Sequence, residues 1–376
     1  MSTARRFCPT FIALLAALCV GTAGCTKQDT TPIQIGFVAG LTGKAADLGI
    51  GGRNGAQLAI DAFNAAGGLN GRPINLILKD DESSGERGKL VVGELVASKV
   101  TAIVGPMTSA VAAATAPIAN DAGILMMGGT VTTTALTGID DQFFRVIGST
   151  TAHSATMANY LYESRKVRRA HLLVNLANKA YADSWATDFD TALKAREGGS
   201  TVRIDYTSSA TTSFDELAAR LMKGSPDAII LVTHTLDATH IANRLAKRQS
   251  KAVHVTSEWA GTGKLNELGG ASVEGFVVPQ YLDLNSTRPA YLAFHADYLK
   301  RFQQPPGFPA VVAYNATQVL LRALREQQTG ESLKQTVLRL KTFEGLQESI
   351  RFDAFGDVQS PTYLTEVRDG NYVPLK

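Results

Sequence analysis

From Ile33 onward the chain alternates short apolar runs with stretches in which apolar residues recur at every third or fourth position. The short runs predict β-strands and the periodic stretches predict amphipathic α-helices. IQIGFVAG (33–40) predicts a strand, and GGRNGAQLAIDAFNAAGG (51–68) predicts a helix with Ala56, Ala59, Ile60 and Phe63 on one face. Gly67 and Gly68 end that helix where a left-handed residue is wanted. The rhythm continues through INLIL (74–78), a helix in ERGKLVVGELVASK (86–99), TAIVG (101–105), a helix after Thr108, and GILMM (123–127). After FFRVI (143–147) it begins afresh. A helix from about Ala152 leads to AHLLVN, a helix over 181–195, TVRIDY, FDELAARLM, DAIILVT, a helix over 238–247, and AVHVT. Beyond GFVVPQYLD come helices over 289–303, 309–326 and 331–341, then apolar alternation in SIRFDAFGDV and TYLTEV. Two βαβ series predict an α/β protein of two lobes with parallel sheets, and the last elements are expected to return and complete those sheets.

Two strand ends carry the candidate chemistry. In IVGPMTSAVAAAT (103–115) an apolar run stops at Gly105-Pro106 and hands over to Thr108 and Ser109 at the start of an Ala-rich helix. In GILMMGGTVTTTAL (123–136) a strand ends in Gly128-Gly129 and is followed by Thr130, Val131 and Thr132. In an open parallel sheet, ligands sit beyond the carboxyl ends of the strands, where helix N-termini offer free N–H groups to anions. Ser109, Thr130, Val131 and Thr132 are therefore expected to converge on a carboxylate. The plainer alternative is that Thr108 or Ser109 only caps its own helix.

The first residues change the picture. Arg5 and Arg6 precede the apolar run FIALLAALCV, and TAGC places Ala23 and Gly24 before Cys25. About ten apolar residues are too few for a membrane-spanning helix and read as an export signal. TAGC resembles the lipobox of bacterial lipoproteins, with Thr22 where Leu is usual, which implies a lipid on Cys25; cleavage of an ordinary signal peptide is the alternative. Residues 25–32 then form a polar tether. All three cysteines (Cys8, Cys19, Cys25) lie at or before the cleavage point, so the exported chain has no cysteine pair for a disulfide and no cysteine metal site. The chain from Cys25 has 352 residues (376 minus 24), enough for two lobes. Its 35 basic and 34 acidic residues give +1, which argues against nucleic acid as a partner.

No enzyme signature is present. The Gly-Lys pairs in GLTGKAA and GTGKLN lack the spacing of a phosphate loop, and the chain has no G-x-G-x-x-G, G-x-S-x-G or H-E-x-x-H motif. The six histidines are scattered. A binding protein without cofactor or metal is expected.

The stretches GLTGKAADLGIGGRNGAQLAIDAFNAAGGLNGRPINLILKDDES, AIVGPMTSAVAAATAPIANDAGILMMGG and RFDAFGDV resemble type I periplasmic binding proteins of the leucine/isoleucine/valine-binding family, the substrate-capturing components of ABC importers. The resemblance covers essentially the whole mature chain, with no gap from Ile35 to Leu136, and is strong in lobe one and looser in lobe two. It implies two Rossmann-like lobes joined by three crossovers, with lobe one over 33–150 plus 282–346 and lobe two over 151–281 plus 347–376. It also implies closure on a small ligand by hinge motion at 148–153 and 281–284, an inner-membrane ABC permease as partner, a monomer, and a place in the periplasm or cell envelope. Carried over by position, Ser109 and Thr132 match hydroxyls on the ligand carboxylate, and Val131 a backbone contact. Glu258 in TSEWAG matches the acid that pairs with the α-ammonium, and Tyr181 an aromatic that closes over the ligand. Leu48 and Thr235 depart from the family, which often has an aromatic at the first position and a tyrosine at the second, so the ligand side chain stays open. Trp259 and Tyr281 are further candidates for the cleft wall. For Glu258 the alternative is a solvated loop carboxylate. For the whole chain the alternatives are a receptor for a carboxylic acid or amide, and a regulatory or scaffold lipoprotein of the same fold.

Overall fold

A computed structural model describes residues 1–3 and 30–375; Cys25 and the export segment lie outside the described residues. β1 (Ile33–Ala39), α1 (Ala46–Ala65), β2 (Ile74–Asp80), α2 (Gly85–Ala97), β3 (Ala102–Val104), α3 (Ser109–Asp121), β4 (Met126–Gly128) and β5 (Phe143–Arg145) build lobe one. Its five strands run parallel in the order β2-β1-β3-β4-β5, with Ile35 opposite Leu76 on one side and Ala102 on the other. β1 is buried on both faces: Ile33, Ile35, Phe37 and Ala39 enter one core and Val38 the other. A sheet covered on both faces by crossover helices requires such an apolar run.

Lobe two holds α4 (Thr150–Glu163), β6 (Arg169–Asn175), α5 (Lys179–Lys194), β7 (Ser200–Tyr206), α6 (Phe214–Met222), β8 (Ala228–Val232), α7 (Thr235–Lys247), β9 (Val253–Thr256), α8 (Gly263–Gly269) and β10 (Val277–Gln280). The chain returns to lobe one for α9 (Pro289–Phe302), α10 (Phe308–Glu326), α11 (Leu333–Leu340) and the hairpin β11 (Thr342–Glu344) and β12 (Ser349–Arg351). It then crosses again for β13 (Tyr363–Arg368) and β14 (Asn371–Pro374). The lobe-two sheet has the order β14-β13-β10-β9-β8-β6-β7, with β13 antiparallel to β10 and β14 antiparallel to β13. The doubly wound, two-lobed α/β plan with three crossovers is the one expected. Two details differ. Residues 347–358, expected with lobe two, stay with lobe one, because Ile350, Phe352 and Val358 are buried in the core that holds β1. SIRFDAFGDV also adds no strand to a main sheet: β12 pairs only with β11, while TYLTEV does extend the lobe-two sheet as β13.

Close backbone packing sets the cleft walls. Gly55 of α1 lies so near α10 that a Cβ there would stand 2.1 Å from the Ala310 carbonyl oxygen. Gly105 has φ +101°, and its Cβ would stand 2.1 Å from the Val38 carbonyl oxygen, so only glycine fits between β3 and β1. That is why the apolar run of β3 ends there and the chain turns into α3.

Candidate functional site

The strand carboxyl ends of the two lobes face each other across a cleft lined by Leu48, Met107, Thr130, Asn178, Tyr181, Trp259, Tyr281 and Phe308. One apolar cluster runs across it, joining Leu48, Phe308 and Val311 of lobe one to Tyr181, Trp185 and Trp259 of lobe two. The walls leave a cavity of about 20 Å³, room for little more than a water, so entry of a ligand requires the lobes to part. Tyr181 and Trp259 meet edge to face at 5.8 Å, and Tyr281 and Phe308 do so at 5.3 Å.

Glu258 stands at the floor of lobe two, in a single helical turn (Glu258–Ala260) after β9. It is 1 % exposed, so it is no solvated loop carboxylate. Its Oε2 accepts from the Trp185 indole N–H at 2.8 Å and the Tyr181 hydroxyl at 3.1 Å; its Oε1 has no partner among the described residues. Burial pushes the carboxyl up to about 7, against the pull of its own backbone N–H and of the Trp185 and Tyr181 donors. Burial first, and the Glu258 charge second, hold the Tyr181 and Tyr281 phenols well above their ordinary value, so both stay neutral donors.

The opposite wall is the α3 N-terminus. Several hydroxyls there bond within the protein. Ser109 Oγ accepts from the backbone N–H groups of Thr132 and Thr133, both at 3.3 Å, and so stitches α3 to the segment after β4. Neither Thr108 nor Ser109 caps α3 through its side chain; the Ala110 N–H donates instead to Asn178 Oδ1 of lobe two at 2.9 Å. The Thr130 hydroxyl donates to the Met107 carbonyl, so it is spent within lobe one although the residue lines the cleft. The Val131 side chain is buried among Val38, Ile103 and Met126, away from the cleft walls. Thr132 is fully buried, and its Oγ1 faces the Tyr281 phenol without a well-formed hydrogen bond among the described residues. Thr235 does not line the cavity. At the start of α7 its hydroxyl donates to Asp47 of lobe one at 3.0 Å.

Thus Leu48, Thr130 and Tyr181 come together at the cavity, with Trp259 and Tyr281; Glu258 lies behind Tyr181; Ser109, Val131 and Thr132 form the scaffold of the facing wall; Thr235 belongs to a separate contact between the lobes. Asn178, Met107, Phe308 and Trp185 were missed. Asn178 carried a weak signal, an Asn immediately before an amphipathic helix. Met107 and Phe308 read as ordinary apolar residues, and Trp185 lies 73 positions from the carboxylate it touches.

Two α/β lobes joined by three chain crossings around an aromatic-walled cleft define a two-lobed binding protein. The chain belongs to the periplasmic binding protein family, whose model matches residues 32–371. This family comprises solute-binding components of transport and not enzymes. The chain is 24% identical over 362 residues to Leu/Ile/Val-binding protein homolog 3 of Brucella melitensis, covering 94% of this chain and 96% of that one. Among solved structures it resembles the branched-chain amino acid transporter substrate-binding protein LivJ of Streptococcus pneumoniae in complex with isoleucine, with a TM-score of 0.82, 24% identity, and coverage of 92% of this chain and 100% of that one. It also resembles an ABC transporter solute-binding protein of R. palustris in complex with benzoate, with a TM-score of 0.80, 20% identity, and coverage of 92% and 95%.

Proposed function

We propose that this chain captures a small amino acid or close analogue in the interlobe cleft and presents it to an ABC permease of the inner membrane. The observation that carries the reading is Glu258. A fully buried carboxylate with one oxygen tied down and the other without a partner is costly, and an ammonium group offsets that cost. The Thr132 hydroxyl and the α3 N-terminus supply the complementary end for a carboxylate, provided that Asn178 yields the Ala110 N–H when the lobes part. Aromatic and aliphatic walls suit an apolar side chain. The Leu/Ile/Val-binding relatives fit the same reading.

A second reading, a receptor for a plain carboxylic acid or amide, draws on the same raised carboxyl: protonated, Glu258 is a neutral group that asks for no cation. Glu258→Gln separates the two. On refolded protein, calorimetry with leucine, isoleucine and valine should show a loss of about 3 to 5 kcal/mol, two to four orders of magnitude in Kd, on that substitution. The matching deaminated acids should lose little or gain. Equal affinity of both proteins for the amino acids sinks the ammonium role, and binding of the acids alone selects the second reading. A chain that binds none of these is the regulatory or scaffold alternative.

We further propose that Cys25 carries a lipid that holds the receptor beside its permease, raising the effective concentration of one near the other. The observation is TAGC after a short apolar run. Mass spectrometry of the protein extracted from the envelope should show an acylated N-terminal Cys25; an unmodified N-terminus elsewhere removes the anchor.

A further inference from the structure

Trp185 sits on α5, one helical turn beyond Tyr181, and is fully buried. Its ring stacks on Phe189 at 5.3 Å with the planes only 7° apart, which fixes where the indole N–H points. That N–H donates to Glu258 Oε2 at 2.8 Å, the shorter of the two hydrogen bonds the carboxylate receives from side chains. Phe189 and Trp185 are buried in the cluster that lines the cleft, so the donor is held by packing and not by a mobile loop.

We infer that Trp185 is a positioning residue of the binding site: by anchoring Oε2 it turns the other oxygen of Glu258 into the single acceptor offered to a ligand's ammonium group. The inference deepens the amino-acid reading and rests on it for the identity of the ligand, but its geometry stands in the protein alone. Other groups around Glu258 do not take over the task. Tyr181 of α5 shares Oε2 at 3.1 Å, and Tyr281, beyond β10, faces Glu258 with its phenol without bonding to it. His234, before α7, is one ring removed, edge to face with Trp259 at 5.7 Å. Among the described residues no Lys, Arg or His forms an ion pair with Glu258. The donor therefore acts on a carboxyl whose charge no cation of the protein balances.

The consequence can be read without any ligand. A hydrogen bond to the ionised form favours that form, so its removal raises the midpoint at which Glu258 takes up a proton, here above about 7. Infrared titration follows the carboxylic C=O band of Glu258, identified by its loss in Glu258→Gln. In Trp185→Phe, which keeps an aromatic ring and deletes the N–H, the midpoint is expected to rise by about 1 to 2 pH units, the worth of one hydrogen bond to a charged group. Replacement of Trp185 by β-(3-benzothienyl)alanine, in which sulfur stands for N–H in an unchanged ring shape, should give the same rise and serves if the phenylalanine variant does not fold. An unchanged midpoint in a folded variant overturns the inference and leaves amino-acid binding standing. Failure of the protein to bind amino acids, with the midpoint shifted, removes the ligand named above and leaves Trp185 as the anchor of the carboxylate.

Discussion

Ser109 and Thr132 lie side by side and were read from the sequence as equivalent hydroxyls, but they carry different loads. Ser109 Oγ satisfies two buried backbone N–H groups, whereas Thr132 Oγ1 faces the Tyr281 phenol and makes no well-formed hydrogen bond among the described residues. Ser109→Ala therefore leaves two donors unpaired inside the protein and should cost about 1 to 3 kcal/mol of stability, seen as a lower midpoint in urea, before any effect on ligand. Thr132→Val keeps the shape and deletes a hydroxyl whose one polar neighbour is the Tyr281 phenol, so stability should change little. Affinity for the ligand carboxylate should fall by about 1 to 3 kcal/mol if the hydroxyl donates to it. Urea melts and calorimetry on the two variants together decide the matter: a stable Thr132→Val that binds normally removes this hydroxyl from the site. Glu258 shows what the sequence could convey at single positions. Its place after AVHVT, together with family position, points to the cleft, and the structure buries it behind Tyr181. Its two donors were not legible, because Tyr181 and Trp185 are separated from it by 77 and 73 positions, and only the fold brings α5 over the end of β9.

Strands and helices were far more legible than contacts, for a physical reason. β1 and β8 are buried on both faces, so each must be a nearly unbroken apolar run, and α10 buries one face along most of its length. Such patterns depend only on local sequence. β11 carries no strand prediction and β12 is expected in a main sheet, because each strand has three residues with a single buried side chain, Phe343 and Ile350. So short an alternation fits either sheet edge or a free-standing hairpin, and tertiary packing of Phe352 and Val358 on lobe one decides. The start of α3 lies where the sequence predicts it, but its neighbour across the cleft is not legible there. The helix N-terminus was expected to wait for an anion, yet Asn178 reaches it from lobe two. A side chain arriving from another lobe has no signature in the helix it caps.

Asn178 is one of several bonds that the closed molecule makes between its lobes. Ser184 of α5 meets the hydroxyls of Thr133 and Thr134 at 3.0 and 3.1 Å, and Lys44 reaches Ser208 at 2.5 Å. On the far side of the cleft, Asp47 Oδ2 accepts from Thr235 at 3.0 Å and Thr262 at 2.9 Å. Thr235 thus bonds across the lobes and does not line the cavity. These bonds exist only when the lobes meet, so each biases the equilibrium between open and closed forms, and ligand affinity includes that bias. Asp47 is the clearest place to test it, because its carboxylate does not line the cavity and both partners of its Oδ2 belong to lobe two, while Oδ1 accepts from the neighbouring Leu48 N–H. Asp47→Ala removes two hydrogen bonds to a charged group that water partly replaces on opening, a loss of about 1.5 to 3 kcal/mol from the closed form. Apparent affinity for the ligand should then fall roughly 10- to 100-fold. Thr262→Val, which removes one of the two bonds, should fall between Asp47→Ala and the native protein. Each lobe keeps its own core, so thermal unfolding should move little. In solution scattering at a fixed, sub-saturating ligand concentration, the Asp47→Ala particle should be less compact than the native one, and the difference should vanish at saturation. Native affinity with an unchanged scattering profile would mean that the aromatic contact across the cleft, Leu48 and Phe308 against Tyr181 and Trp259, sets the closed state by itself and that the polar rim adds nothing to it.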